Sequence, residues 1–244
     1  MLENKRGAYN INTARDILWF DGVTLEGIPR EQAPVRNASF ALGPGALLLV
    51  MVESGNENLP LADAAEGLLA PDAGQVTWHG RPWASLDPRE ECAARARIGR
   101  VFEKNAWISN LTVMENITLP QRHHSERPES ELTAAADALA DSFGLSEAPR
   151  RRPSEVPRRE LKIAEWVRAF IAGPDLLLLE RPENGVLSAN LPPLFAAAAK
   201  ARAAGTAIVW QTDREETWNA KGLEGAVRCR MRGSEMRFTE DART

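Results

Sequence analysis

The sequence is poor in the residues that build cross-linked or metal-held scaffolds: its 244 residues include two cysteines, three histidines and one tyrosine. Cys92 and Cys229 stand far apart without metal-type spacing, and His79, His123 and His124 do not complete a ligand set. That excludes a disulfide framework or structural zinc and points to a reduced, cytosolic compartment. No apolar run approaches the roughly 20 residues of a bilayer-spanning helix, and the opening "MLENKRGAYNINTARD" lacks the apolar core of a signal peptide. A membrane role would need a partner to supply the span. Positive charge is also short: the formal net charge is -4, and a single tyrosine offers no platform for stacking bases, so no nucleic acid is expected as a partner.

What is present describes an ordinary globular chain, 43% hydrophobic and 26% charged, long enough to bury a core without covalent staples. Residues 1–16 are polar and unpatterned and read as a flexible tail, with a single domain over 17–244. "ILWFDGVTL" and "VRNASFAL" predict two strands around a loop containing Gly27 and Pro29. "ALLLVMV" is a continuous apolar run of the kind a strand shows when both of its faces are covered. A small polar loop follows it, then "LADAAEGLL" as a short helix and "GQVTWHGRPW" as a strand pair. Asp87 to Ala96 reads as helix, "RIGRVFE" as strand, and the pattern then turns helical. "ELTAAADALADSFG" and "RELKIAEWVRAFIAG" are amphipathic, with the basic, proline-bounded "PRRRP" as a hinge between them. "PDLLLLERP", "LPPLFAAAAKARAAG" and "TAIVWQT" then alternate strand, helix and strand. The fold class expected is α/β: a parallel sheet covered by helices, flanked by a small antiparallel β subdomain and carrying a helical subdomain inserted at about 104–170.

The order of these elements and several strings resemble the nucleotide-binding domain of ATP-binding cassette (ABC) transporters over nearly the whole chain, from 17 to 238. The strings are "GLLAPDAGQVTWHGRPW", "RIGRVFEKNAWISNLTVMENITLP", "VRAFIAGPDLLLLERP" and "GTAIVWQTD". "NLTVMENITLP" is most similar to import-type subunits and to lipid-transport subunits, including those of MCE-type systems. The resemblance implies a P-loop fold, an integral membrane permease as partner, and a dimer with a second copy or a paralogous ATPase subunit. It also implies a peripheral place on the cytoplasmic face of the cell membrane.

A P-loop needs glycines so that backbone N–H groups converge on phosphate, a Lys for the terminal phosphates, and a Ser or Thr for magnesium. Counting back from Gly67, Val52, Glu57, Asn58 and Leu59 fall where the family has Gly, Gly, Lys and Ser or Thr; only Ser54 and Gly55 match, with Glu53 and Asn56 between. Glu53 and Glu57 bring negative charge to a phosphate site, where like charges at about 4 Å repel by ~1 to 4 kcal/mol. The resemblance places Glu180 and Arg181 at the positions of the magnesium-holding Asp and the water-polarising Glu. An arginine stays protonated and is no base. Glu103 stands for the Gln after the strand, Asp213 for the switch His, and Val156, Pro157, Arg158, Arg159 and Glu160 for the signature "LSGGQ". No aromatic near 27–34 offers adenine a stacking partner.

Alternatives stay open at these positions. Glu53 and Glu57 serve as carboxylates at a helix start, or pair across a dimer with Arg158 or Arg159. Glu180 and Arg181 serve in local ion pairs, and the "RRR" of 150–152 is a solvated hinge or an anionic-surface patch. Trp107 is core packing or an anchor for a partner at the groove where family members receive the permease. The first functional expectation is a catalytically inactive subunit, scaffold or regulator of a membrane transport complex, with lipid as a possible cargo and no cofactor. The others are a residual ATPase subunit that keeps ATP and magnesium, and a soluble regulatory module without a permease.

Overall fold

The computed structural model describes residues 16–28, 32–53, 58–104 and 106–239. The tail expected at 1–16 lies, apart from Asp16, outside the described residues, as do Ser54, Gly55, Asn56 and Glu57. Alternating buried positions give β1 (Leu18–Leu25) and β2 (Val35–Leu42), which pair antiparallel. A turn at Gly45, with φ of 75°, leads into β3 (Leu47–Met51), every residue of which is buried. The two-residue period sends Leu47, Leu49 and Met51 to one hydrophobic layer and Leu48 and Val50 to the other, so no polar residue interrupts the run. Each such leucine contributes roughly 1.5 to 3 kcal/mol by leaving water.

After the loop, α1 (Leu61–Ala65) is little more than one turn, and β4 (Ala73–Trp78) and β5 (Arg81–Pro82) extend the antiparallel lobe beside β1. A capping box of Asp87 and Glu90 starts α2 (Pro88–Arg95), which leads to β6 (Ile98–Val101). The helical lobe follows as α3 (Val113–His124), again opened by a capping box, from Thr112 and Glu115, then α4 (Glu129–Ser142) and α5 (Arg158–Phe170). The chain then returns to the sheet through β7 (Leu176–Glu180), α6 (Pro192–Ala203) and β8 (Ala207–Thr212), both strands wholly buried. It closes with α7 (Glu215–Trp218), β9 (Val227–Arg232) and β10 (Glu235–Phe238).

Among the described residues the strands form one sheet in the order β5-β4-β1-β2-β10-β9-β3-β8-β7-β6. From β9 to β6 neighbours run parallel; β5, β4, β1 and β2 are antiparallel, and β10 joins the two parts. The expected α/β class, with its parallel core, antiparallel β lobe and helical lobe, is therefore what the chain adopts. Strands β9 and β10 go beyond the expected elements.

Among the glycines that set close approaches, Gly99 and Gly67 place helices. A methyl group at Gly99 of β6 would overlap the Ala169 carbonyl oxygen of α5, so only glycine lets that helix lie against the strand. At Gly67, φ is 65° and a Cβ would meet the Trp83 ring, which fits its place just past α1.

Candidate functional site

The carboxyl ends of β3, β6, β7 and β8 lie side by side at one edge of the parallel core, where an open α/β sheet presents its ligand crevice. Two arginines organise the side chains there.

The first is Arg100, on β6. Its Nε donates to Glu180 Oε1 at 2.5 Å, and its Nη1 reaches Asp63 Oδ1 at 2.8 Å and Glu66 Oε2 at 2.7 Å. Its side chain is 8% exposed and that of Glu180 5%, so this is an ionic cluster inside the protein. Burial works against the guanidinium's charge, but the carboxylates of Glu180 and Glu66 outweigh it and the pKa is raised. For Glu180 and Glu66 burial is the largest influence and raises both carboxyls above their usual range, against the opposing pull of Arg100. Asp63 and Glu66 are three residues apart around α1, which puts both on one side of that short helix.

The second is Arg181, directly after β7, with a φ of 42° in the left-handed region that costs a non-glycine residue energy. Its Nε donates to Glu103 Oε2 at 2.6 Å, its Nη2 contacts Glu103 Oε1, and its Nη1 donates to Asp213 Oδ2 at 3.1 Å. Its own N–H is bonded to Gln211 O at 3.0 Å. One guanidinium thus joins the segments that follow β6, β7 and β8. Glu180 and Arg181 both enter ion pairs, but in two separate networks rather than with each other.

The loop after β3 is placed by its ends. Val52 is buried and donates its N–H to Thr212 O at 2.8 Å, while Glu53 pairs with Arg232 of β9 at 2.7 Å. The carbonyl of Asn58 accepts from the Ala33 N–H at 2.9 Å. Leu59 is 2% exposed, packed with the β-lobe hydrophobic residues. Leu59 thus offers a buried apolar side chain at the end of this loop, and the Glu180 carboxylate is bound to Arg100.

The signature stretch lies at the start of α5. Val156 is buried, Pro157 precedes the helix without a side-chain cap, and Arg158 and Arg159 are exposed. Glu160 lies 3.9 Å from Arg151. Of the neighbouring arginines in the hinge, Arg150 pairs with Asp137 and Glu147, both at 2.8 Å, so its charge is engaged within the lobe.

A groove of about 420 Å³ opens between the end of β6 and the helical lobe, lined among others by Ile98, Phe102, Ile108, Leu119, Gln121 and Arg168. Trp107 is half-buried against the hydrophobic interior, with the Arg168 guanidinium 4.6 Å from its ring centroid. Its neighbours Ala106 and Ile108 line the groove, and Ile108 is 44% exposed.

Sequence reasoning missed Arg100, Asp63, Glu66 and Glu183. A charge inside the otherwise apolar strand of "RIGRV" and two acids at helical spacing in "LADAAEG" are the signals that could have found the first three. Glu183 is wholly buried, hydrogen-bonded to the Thr212 hydroxyl and, at 3.3 Å, to the indole N–H of Trp210. Burial pushes its carboxyl above the usual range, which the bonds from Thr212 and Trp210 only partly offset.

A parallel core with its crevice at the strand ends, an antiparallel lobe on one side and a helical lobe on the other define a P-loop-type nucleotide-binding cassette. The ABC transporter family model matches residues 35–184, and the chain belongs to that family. Among solved structures, the chain is similar to the dimeric post-hydrolysis state of the ATP-binding cassette MJ0796 bound to ADP and Pi. The TM-score is 0.80 at 19% identity, over 91% of this chain and 97% of that one. It is also similar to the dimeric structure of MJ0796 described as a bacterial ABC transporter cassette, with a TM-score of 0.78 at 19% identity over 90% and 96% of the two chains. At that identity the likeness speaks for the fold.

Proposed function

We propose that this chain is a catalytically inactive ABC-type subunit that docks on a membrane permease and acts there as scaffold or regulator. The observation that carries this reading is Arg181. A protonated guanidinium, tied to Glu103 and Asp213, takes the place of the carboxylate that would polarise an attacking water. Glu180, the remaining acid at the strand end, is held by Arg100, and Leu59 has no atom for a metal.

A dimer fits the same reading, as in the dimeric cassettes named above. In a head-to-tail dimer each nucleotide would lie between the loop after β3 of one copy and the start of α5 of the other, and both stretches depart from the family pattern in this chain. Pairing with a competent paralogue would therefore still leave neither site complete. Glu53 has an in-chain partner in Arg232, so cross-dimer pairing with Arg158 or Arg159 would have to share or displace it. The groove suits a helical segment of the permease, with Ile108 and Leu119 as apolar contacts beside the half-buried Trp107. Lipid is the cargo favoured by the resemblance at 110–120. Among the described residues no helix is long and apolar enough to cross a membrane, so in this reading the permease supplies the span.

The test is a nucleotide-binding and turnover assay on purified protein, alone and with the membrane proteins that co-purify with it. We expect no magnesium-ATP binding at millimolar concentration and no hydrolysis in either state. Turnover that disappears in Glu180→Gln would overturn the inactive reading, and absence of a polytopic partner would overturn the docking.

A further inference from the structure

The segment from 102 to 108 is the link by which the chain passes from β6 into the helical lobe, and it is held almost residue by residue; Asn105 lies outside the described residues. The Lys162 ammonium donates to the Phe102 carbonyl at 3.4 Å. Arg181 holds the Glu103 carboxylate, with its Nε at 2.6 Å. Arg168 Nη1 donates to the Ala106 carbonyl at 2.6 Å, its guanidinium stacked 5.4 Å from the Phe102 ring centroid and 4.6 Å from that of Trp107. Asn116 closes the far end, accepting from the Ile108 N–H at 2.8 Å and donating to the Ile108 carbonyl at 3.1 Å.

The anchors come from three places. Lys162 and Arg168 are on α5, which lies against β6; Arg181 is on the core; Asn116 is on α3. Arg181 also reaches Asp213 after β8, so the link is stitched to the ends of two further strands. Lys162 has its own counter-ion, Glu165, at 2.6 Å, and both are nearly or fully buried. Charge-assisted bonds in such surroundings are stronger than neutral ones and are costly to leave half-made.

We infer that the 102–108 link is a strut and not a hinge: the protein's own cations hold the core and the helical lobe in one relative arrangement without a ligand. Arg181 is the keystone, because among the described residues it alone ties the link to the ends of both β7 and β8. The groove is then a preformed surface, offered to a partner in one shape. This goes beyond the lack of catalysis and does not depend on it.

Hydrogen-exchange mass spectrometry on the full chain tests the strut, following peptides that span 102–112 and 211–218, with α4 as a control. In the wild type both regions should be protected to the same degree with and without magnesium-ATP. In Arg181→Met both should exchange at least about tenfold faster, the effect of losing a charge-assisted bond, with α4 unchanged. If Arg181→Met does not fold, the double variant Glu103→Gln with Asp213→Asn keeps the shape and removes the partner charges, and both regions should again loosen together. A wild-type link that exchanges like an unstructured peptide would overturn the strut. So would magnesium-ATP altering exchange of the link, or either folded variant leaving both regions as they were. ATP turnover by the wild type, with the Arg181→Met effect intact, would remove the inactive reading and leave the strut standing.

Discussion

Arg100 shows how much a single side chain carries in this cleft. Removing one partner of a buried ionic group leaves the others without their counter-charge, which typically costs about 3 to 5 kcal/mol. We therefore expect Arg100→Met to lose that order of stability in urea unfolding, because Asp63, Glu66 and Glu180 would be left facing one another. Adding Glu180→Gln to it should restore a measurable part; a double variant no more stable than the single one would show that the carboxylates do not repel. Individual residues were only half legible in the sequence. Glu103, Arg181 and Asp213 stood out because they fall at stations of a known pattern, but nothing in a linear string says that positions 78 and 32 residues apart meet on one guanidinium. Arg100 falls at no such station: between Gly99 and Val101 in "RIGRV" it reads only as a charge in an apolar stretch, and it is the fold that brings Asp63, Glu66 and Glu180 around it.

Among the elements, the strands with both faces covered were the most legible, since β3, β7 and β8 leave no room for a polar alternation. β9 was hidden by the opposite circumstance. One face is Arg228 and Arg230, both half-buried, and the exposed Arg232, and the buried Cys229 and Met231 between them look too sparse to announce a strand. Two of these arginines are put to use, with the guanidinium groups of Arg228 and Arg230 lying 5.8 and 4.5 Å from the Trp218 ring centroid. Helix α5 depends on a contact that involves no side chain of its partner. Gly99→Ala should push α5 away from β6 and cost about 1 to 3 kcal/mol or more, seen as a lower melting temperature. A variant with an unchanged melting temperature would mean that the helix shifts freely, contrary to its tight seat.

For the molecule as a whole, the buried acids set an unusual pH dependence. Burial raises the carboxyls of Glu66, Glu165, Glu180 and Glu183 above the ordinary 4.5, so the folded chain holds their protons more tightly than the unfolded one. Stability rises with pH only where the unfolded chain binds more protons; here the folded chain does, so these groups lower stability as pH climbs from 4.5 through their folded values. Glu90, Glu115, Glu215 and Glu224 are held below 4.5, chiefly by hydrogen bonds, and their contribution is lost only as pH falls below that value. The urea midpoint should therefore be higher at about pH 5 than at about pH 8, and Glu183→Gln should flatten the difference. An equal slope in that variant would show that Glu183 is not among the causes.

The trio of Glu103, Arg181 and Asp213 also bears on the history that such a chain can have. Arg181→Glu alone would gather three acids at one point, and replacing either acid alone would strip the arginine of a counter-charge. Each single step away from the present trio is penalised until the others have been taken, so the arrangement is entrenched: a lineage that has reached it is held there by its own electrostatics.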